Sequence, residues 1–260
     1  MIKKKEENTA INILWTGGWD STFRLLQLVL LQRFKIQPFY LIDSDRLSTG
    51  IEIKTMKDIK KTLFKEYPYT AELILPTKFI EVNDLKSDSQ INEAYNSILE
   101  KSFIGEQYEW LARFCKQHDI QNIELCIHKD DKAHKVVERY YNIKTQNYLK
   151  NYKHNERDIE NPEKIIFQYF TFPIFDLTKI EMQNISKKNH WDHIMNMTWF
   201  CHRPRNGKTP CGECNPCIYT IDEGLGWRIP LYYRMRGKIN RNTLRPIKHI
   251  AKKIFKVKNK

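Results

Sequence analysis

The sequence predicts an α/β fold, a doubly wound and mainly parallel sheet, with a cysteine-rich segment and a basic tail at its C-terminal end. Three observations predict it. Short apolar runs alternate with stretches of helical length, a glycine pair follows the first run where a strand would turn into a helix, and the alternation stops beyond Trp191, where the cysteines cluster.

The run at residues 11–15 is apolar enough for a buried strand, and residues 21–34 have helical length. A second strand is expected at 38–43, then a helix over 49–67 whose Ile51, Met56, Ile59, Leu63 and Phe64 fall largely on one face. The pattern continues with a short strand near 78–82, helices at 90–101 and 105–118, and a strand at 122–127. Residues 145–163 are polar, aperiodic and carry a proline, and read as a loop or lid. The run 170–175 precedes Asp176-Leu177-Thr178-Lys179-Ile180-Glu181, a capped start to a helix reaching Lys188. The expected division is a main domain over 1–198, a cysteine region over 199–230 packed on it, and a tail over 231–260.

At 260 residues, with 41% hydrophobic and 29% charged residues, the chain can bury a full core. No apolar stretch is long enough to span a bilayer, and the start, basic then acidic, does not resemble a secretory signal; a cytoplasmic location is expected. The net charge of +13 is uneven. Eleven Lys and Arg and no acid lie between Arg234 and Lys260, so removing them from 44 basic against 31 acidic residues leaves +2 for 1–233. The body is nearly neutral and the tail is basic.

A strand ending at Trp15, then Thr16-Gly17-Gly18-Trp19-Asp20-Ser21-Thr22, then a helix, is physically a phosphate-binding arrangement. Glycines let an oxyanion approach the backbone, the helix start offers free N–H groups, and Thr16, Ser21 and Thr22 add hydroxyls. Asp20 would repel bare phosphate, so it either holds a Mg²⁺ bridging phosphate oxygens or caps the helix. There is no Gly-Lys-Ser/Thr ending, which excludes a Walker loop. The segment resembles the Ser-Gly-Gly-x-Asp-Ser loop of the N-type ATP pyrophosphatases, with Thr16 in place of the first serine. The resemblance implies an adenine nucleotide alpha hydrolase-like fold, with ATP and Mg²⁺ bound at Thr16, Gly17, Gly18, Asp20, Ser21 and Thr22, and Asp20 and Ser21 serving catalysis.

Cys201, Cys211, Cys214 and Cys217 form C-x9-C-x2-C-x2-C, a spacing that turns four thiolates toward one Zn²⁺ and leaves no open position for water. Two disulfides or an iron–sulfur cluster are the alternatives. Cys115 and Cys126, in a predicted helix and strand, read as buried apolar residues. The order of features, a pyrophosphate loop, Pro173 with Lys179 opening a helix, then Trp199-Phe200-Cys201 and Cys211-Gly212-Glu213-Cys214-Asn215-Pro216-Cys217, resembles the 7-cyano-7-deazaguanine synthase family of queuosine biosynthesis. That resemblance implies a carbon–nitrogen ligase using ATP, a carboxylate and ammonia, with zinc on the cysteine set. It departs at 43–49 and 104–110, where the synthases carry substrate-selecting segments, so a different acceptor is compatible with it.

Further candidates are Arg46, for a carboxylate or phosphate; His128, Asp130 and Asp131 beyond the strand at 122–127; Gln107 and Tyr108 at a helix start; and His202, Arg203 and Arg205 beside the first cysteine. Each reads equally as ordinary surface or turn polarity. In the tail, Ile247, Ile250, Ile254 and Val257 recur at helical spacing among lysines, which suits RNA, an anionic membrane surface, a partner enzyme or no partner. Homo-oligomerisation is left open. Two rival functions remain, a tRNA-modifying, thiolase-like adenylating enzyme and a non-catalytic nucleotide-binding descendant.

Overall fold

The computed structural model describes residues 10–149 and 161–240. Five parallel strands, β1 (Ile11–Leu14), β2 (Ile36–Ile42), β3 (Lys78–Glu81), β4 (Ile123–Glu124) and β5 (Phe170–Thr171), lie in the order β3-β2-β1-β4-β5. The chain winds outward from β1 through β2 to β3, then crosses back to place β4 on the other side of β1. The strand order therefore reverses between β1 and β4, and α/β sheets open a crevice at such a point, beyond the carboxyl ends of the strands.

Side-chain alternation along the strands splits the interior into two layers. Ile13 and Trp15 of the first strand, with Ile36 and Tyr40 of β2, face one cluster that includes Phe23 and Leu26 of α1 (Trp19–Leu26) and Met56, Ile59 and Leu63 of α2 (Thr49–Glu66). Leu14, Phe39 and Leu41 face the other, with Ile91 and Ile98 of α4 (Ser89–Lys101) and Leu111 and Phe114 of α5 (Gln107–Gln117). Before α4 lies the single turn α3 (Thr70–Leu73). Helices cover both faces, so the sheet is doubly wound, as the alternating runs predict.

The boundaries differ in physically readable ways. The first helix starts at Trp19 and passes into a π-helical turn, Gln27–Leu31, instead of running uniformly to Phe34. Only Ile123 and Glu124 of the expected strand at 122–127 pair in the sheet. The expected loop at 145–163 is helical at both ends: α6 (His134–Leu149) and α7 (Pro162–Phe167), the latter capped by the Asn161 side chain and opened by Pro162, with residues 150–160 outside the described residues. Apolar Val136 and Val137 of α6 and Ile166 and Phe167 of α7 are buried in the second layer, and this packing overrides the local polarity. The capped helix is α8 (Lys179–Lys188); the cap is Thr178, in a reciprocal capping box with Glu181.

Short elements follow: α9 (Asp192–Asn196), α10 (Asn215–Thr220) and α11 (Leu231–Ile239). Helix α11 is pressed onto the cysteine region through two glycines. A Cβ on Gly237 would lie 2.0 Å from the Gly212 carbonyl oxygen, and one on Gly212, whose φ is +72°, would lie 2.3 Å from the Tyr233 carbonyl oxygen. The residues of the predicted amphipathic tail beyond Pro246 lie outside the described residues. Among the described residues no helix is long and apolar enough to cross a membrane.

One charged residue sits inside the sheet. Glu124 of β4 receives a bidentate pair of hydrogen bonds from Arg24 of α1, at 2.8 Å from Nε and 2.7 Å from Nη2, with both side chains nearly buried. This fork fixes α1 over the β1–β4 junction. Glu124→Ala would leave the guanidinium desolvated without its partner. We expect a loss of about 3 kcal/mol in unfolding free energy, read from urea titration, and a smaller loss for a paired apolar replacement of both residues.

Candidate functional site

The loop after β1 reaches the switch point. Gly17 adopts φ +69°, and a Cβ there would sit 3.2 Å from both Met56 Cγ and Thr55 Cγ2 of α2, so glycine is favoured both by conformation and by space. Gly18 is extended and caps α1 without any side-chain bond; its carbonyl accepts from Thr22 N–H at 3.0 Å. The N–H groups of residues 19–21 belong to the first turn and have no carbonyl four residues back, which leaves them facing outward along the helix axis. Asp20 is inside the helix and does not cap it.

The hydroxyls divide between loop and core. Thr16 is exposed, and its Oγ1 accepts from Gly18 N–H at 3.3 Å. Ser21 Oγ accepts from Thr16 N–H at 3.4 Å and closes the loop. Thr22 is wholly buried and its Oγ1 accepts from Trp15 Nε1–H at 3.0 Å, so it braces the turn from beneath and does not face the crevice.

Asp20 is the hub of a polar cluster that no single sequence segment carries. Its Oδ2 lies 3.6 Å from Lys179 Nζ at the start of α8, and its Oδ1 lies 3.8 Å from His128 Nε2 beyond β4. Lys179 in turn donates to Glu223 Oε2 at 2.7 Å, and Glu223 Oε1 is 3.7 Å from His128 Nε2. A bond from Lys129 N–H to the Leu177 carbonyl, 2.9 Å, holds the two segments that bear His128 and Lys179 side by side. His128 Nδ1 accepts from Asp130 N–H at 3.2 Å, which leaves Nε2 as the ring nitrogen on the side of the two carboxylates. Asp20 Oδ1 is buried and, among the described residues, has no hydrogen-bond partner.

Burial opposes the charge on Lys179, but Asp20 and Glu223 outweigh it and raise its pKa above the ordinary ammonium value. Burial also pushes the Glu223 carboxyl up, against the pull of Lys179. Arg228 completes the cluster. Its guanidinium lies 4.9 Å from the ring centres of both Trp19 and Phe200, and Nη2 donates to Thr198 Oγ1 at 2.8 Å. Burial lowers its pKa to about 10, with only the more distant Asp20 working against that, and among the described residues no carboxylate pairs with it.

Several other expected residues make structural contacts. Tyr108 is 3% exposed and packs edge-on against Phe167, and burial raises its pKa, with the charges of Asp131 and Asp20 adding to it; Gln107 is exposed. Asp131 Oδ1 accepts from Ala133 N–H at 2.8 Å in the turn before α6, and burial raises its carboxyl pKa; Asp130 is exposed. Arg46 pairs with buried Glu52 at 3.0 Å and meets His202 Nε2 at 3.0 Å. Arg205 pairs with Glu213 at 3.4 Å, and Arg203 is exposed. Cys115 is buried with its thiol pushed up to about 12, and burial raises Cys126 as well, so both remain unreactive thiols. Glu223 and Arg228 escaped the sequence reading because they lie in an irregular stretch. The one local signal was Gly224, whose φ of +84° turns the chain beside Glu223.

The four cysteines converge. All six cysteines are free thiols, which excludes the disulfide alternative, and the Sγ atoms of Cys201, Cys211, Cys214 and Cys217 lie within 4.8 Å of one another. Two pairs are at 3.8 and 3.9 Å, close to the edge of about 3.8 Å for a tetrahedron with zinc–sulfur bonds of about 2.3 Å. Backbone N–H groups of Cys211, Glu213 and Cys214 donate to these sulfurs at 3.2–3.4 Å, which stabilises thiolates. The set fits a zinc knuckle. It is also tied to the loop: Trp199 N–H donates to the Gly17 carbonyl at 2.9 Å, and Trp199 Nε1–H to the Cys201 carbonyl at 2.7 Å.

No protein-family model and no curated protein matches the sequence. Among solved structures the chain is similar to the U34-tRNA thiolase NcsA from Methanococcus maripaludis with its [4Fe-4S] cluster, at 12% identity and a TM-score of 0.42, over 90% of this chain and 71% of that one.

Because the knuckle and the loop share Trp199, losing one thiolate should disturb both. Cys201→Ser is expected to lower bound metal, measured by elemental analysis, and to reduce the melting temperature by several degrees, about 4 °C or more. Retention of full metal content and stability would contradict a four-thiolate site.

Proposed function

We propose that the chain is an ATP-pyrophosphatase-type enzyme that grips the triphosphate of ATP at residues 16–21 and transfers AMP to a substrate oxygen. The observation that carries this reading is a glycine turn at the sheet's switch point, opening a helix whose first amides are uncapped by any side chain, with Lys179 converging on its aspartate. Amides of residues 19–21 would hold phosphate oxygens, and Lys179 would exchange Glu223 for a phosphate oxygen of higher charge. His128 Nε2 would supply a further donor on the same side.

Asp20 fits a divalent cation, since its Oδ1 is a buried carboxylate oxygen without a hydrogen-bond partner among the described residues. A Mg²⁺ held there would neutralise charge on departing pyrophosphate. The four thiolates are assigned to zinc in a structural role. Their spacing suits one shared ion, whereas a cubane cluster spreads its thiolates over four separate irons.

The acceptor in this reading is a carboxylate. Being ionised near pH 7, it attacks the α-phosphorus without a general base; the new carboxyl oxygen–phosphorus bond forms as the bond to the β-phosphate oxygen breaks. Ammonia then displaces AMP to give an amide, and a second adenylation, of the amide oxygen with release of pyrophosphate, would give a nitrile as that oxygen leaves with AMP and the nitrogen gives up its two protons, as the likeness to the 7-cyano-7-deazaguanine synthases implies. Arg228, charged at neutral pH and without a carboxylate partner, is available to the anionic reactants.

Incubating the metal-replete protein with ATP and metabolite extract should produce AMP and pyrophosphate, with the aminated product identified by mass spectrometry. Asp20→Ala should abolish the signal. Lys179→Met should reduce turnover about 100-fold or more, and Gly17→Ala should weaken ATP binding, because the added methyl strains φ and crowds α2. A protein with no affinity for ATP would end the proposal.

A further inference from the structure

We propose that helix α11 docks the protein on an anionic membrane surface, its outer face entering the headgroup region. Leu231, Met235 and Ile239 recur every four residues, with Tyr232 beside them and Trp227 one turn earlier in the chain; all five are between 52% and 66% exposed. At about 100° per residue the four side chains on α11 form one stripe, and Trp227 lies in the short turn that precedes the helix. The opposite face, Tyr233 and Gly237, is the one pressed on the cysteine region. Arg234 and Lys238 run along one edge of the stripe and Arg236 along the other, the last held by Glu213 at 3.1 Å.

This is the pattern of an interfacial helix: an apolar face with tryptophan and tyrosine, flanked by cations. The surrounding charge selects the occupant. Eleven Lys and Arg and no acid lie from Arg234 to Lys260, while the rest of the chain is nearly neutral, so the field at this end favours an anionic surface. RNA would engage the cations but has no use for an exposed stripe of Leu, Met and Ile. A second copy would cover the stripe but bring two acid-free basic segments together. A lipid surface satisfies both features at once, and it would place the knuckle next to the bilayer.

The test uses the full-length, zinc-loaded chain and vesicles of phosphatidylcholine alone or mixed with phosphatidylglycerol. The protein should sediment with the mixed vesicles, with binding weakened by salt, and brominated lipid should quench the wild type more than Trp227→Phe. Leu231→Ser/Met235→Ser/Ile239→Ser should lower partitioning about tenfold or more while circular dichroism and metal content are kept. Lys252→Gln/Lys253→Gln/Lys256→Gln should lower it on mixed vesicles only. Equal binding of wild type and the triple serine variant, absence of binding to mixed vesicles, RNA retention without vesicle binding, or a dimer that the serine variant dissolves would each overturn the proposal.

Discussion

A main-chain hydrogen bond, from Trp199 N–H to the Gly17 carbonyl, ties the glycine turn to the cysteine region. Gly17 can accept it because its positive φ and missing Cβ let the turn lie flat against α2. The same tryptophan donates through its ring to Cys201, so the cysteine set, the glycine turn and α2 form one continuous unit. The knuckle therefore does more than close the end of the chain. It sets the height of the turn above the sheet, and with it the direction in which the first amides of α1 point.

The polar cluster above that turn is preorganised. Lys179 is largely removed from water and keeps its proton because two carboxylates face it; in the proposed reaction a phosphate would find a cation already aimed and would displace Glu223. Little solvent has to reorganise around it, which is where such sites gain over water. Arg228 solves the same problem differently. Two aromatic faces and Thr198 hold its plane in place without a neutralising acid, and its lowered pKa still leaves it charged near neutrality.

Local pattern carried much of the fold. The first two strands and helices α2, α4 and α5 were legible because apolar period and length agree there, and the C-x2-C-x2-C run identified a ligand set whose sulfurs do converge. Helix α6 was not, since its polar sequence is outweighed by tertiary burial of Val136 and Val137. Glu124 is a charge in a strand, readable only once Arg24, a hundred residues earlier, lies across it. At the site, Asp20 was legible from its loop, whereas Glu223 and Arg228 reach it only because the cysteine region folds back over α8. Thr22 shows the converse: its hydroxyl suggested a ligand, and it accepts from the buried Trp15 ring within the core.

Residues 43–49 are organised around a buried acid. Glu52 accepts from Tyr40 at 2.8 Å, Ser48 at 2.7 Å and Arg46 at 3.0 Å, and Arg46 continues to His202 in the cysteine region. Through Arg46 and Ser48, residues 43–49 thus brace α2 against the knuckle. In the proposed reaction, a carboxylate acceptor would be met instead by Lys179, His128 and Arg228 around Asp20.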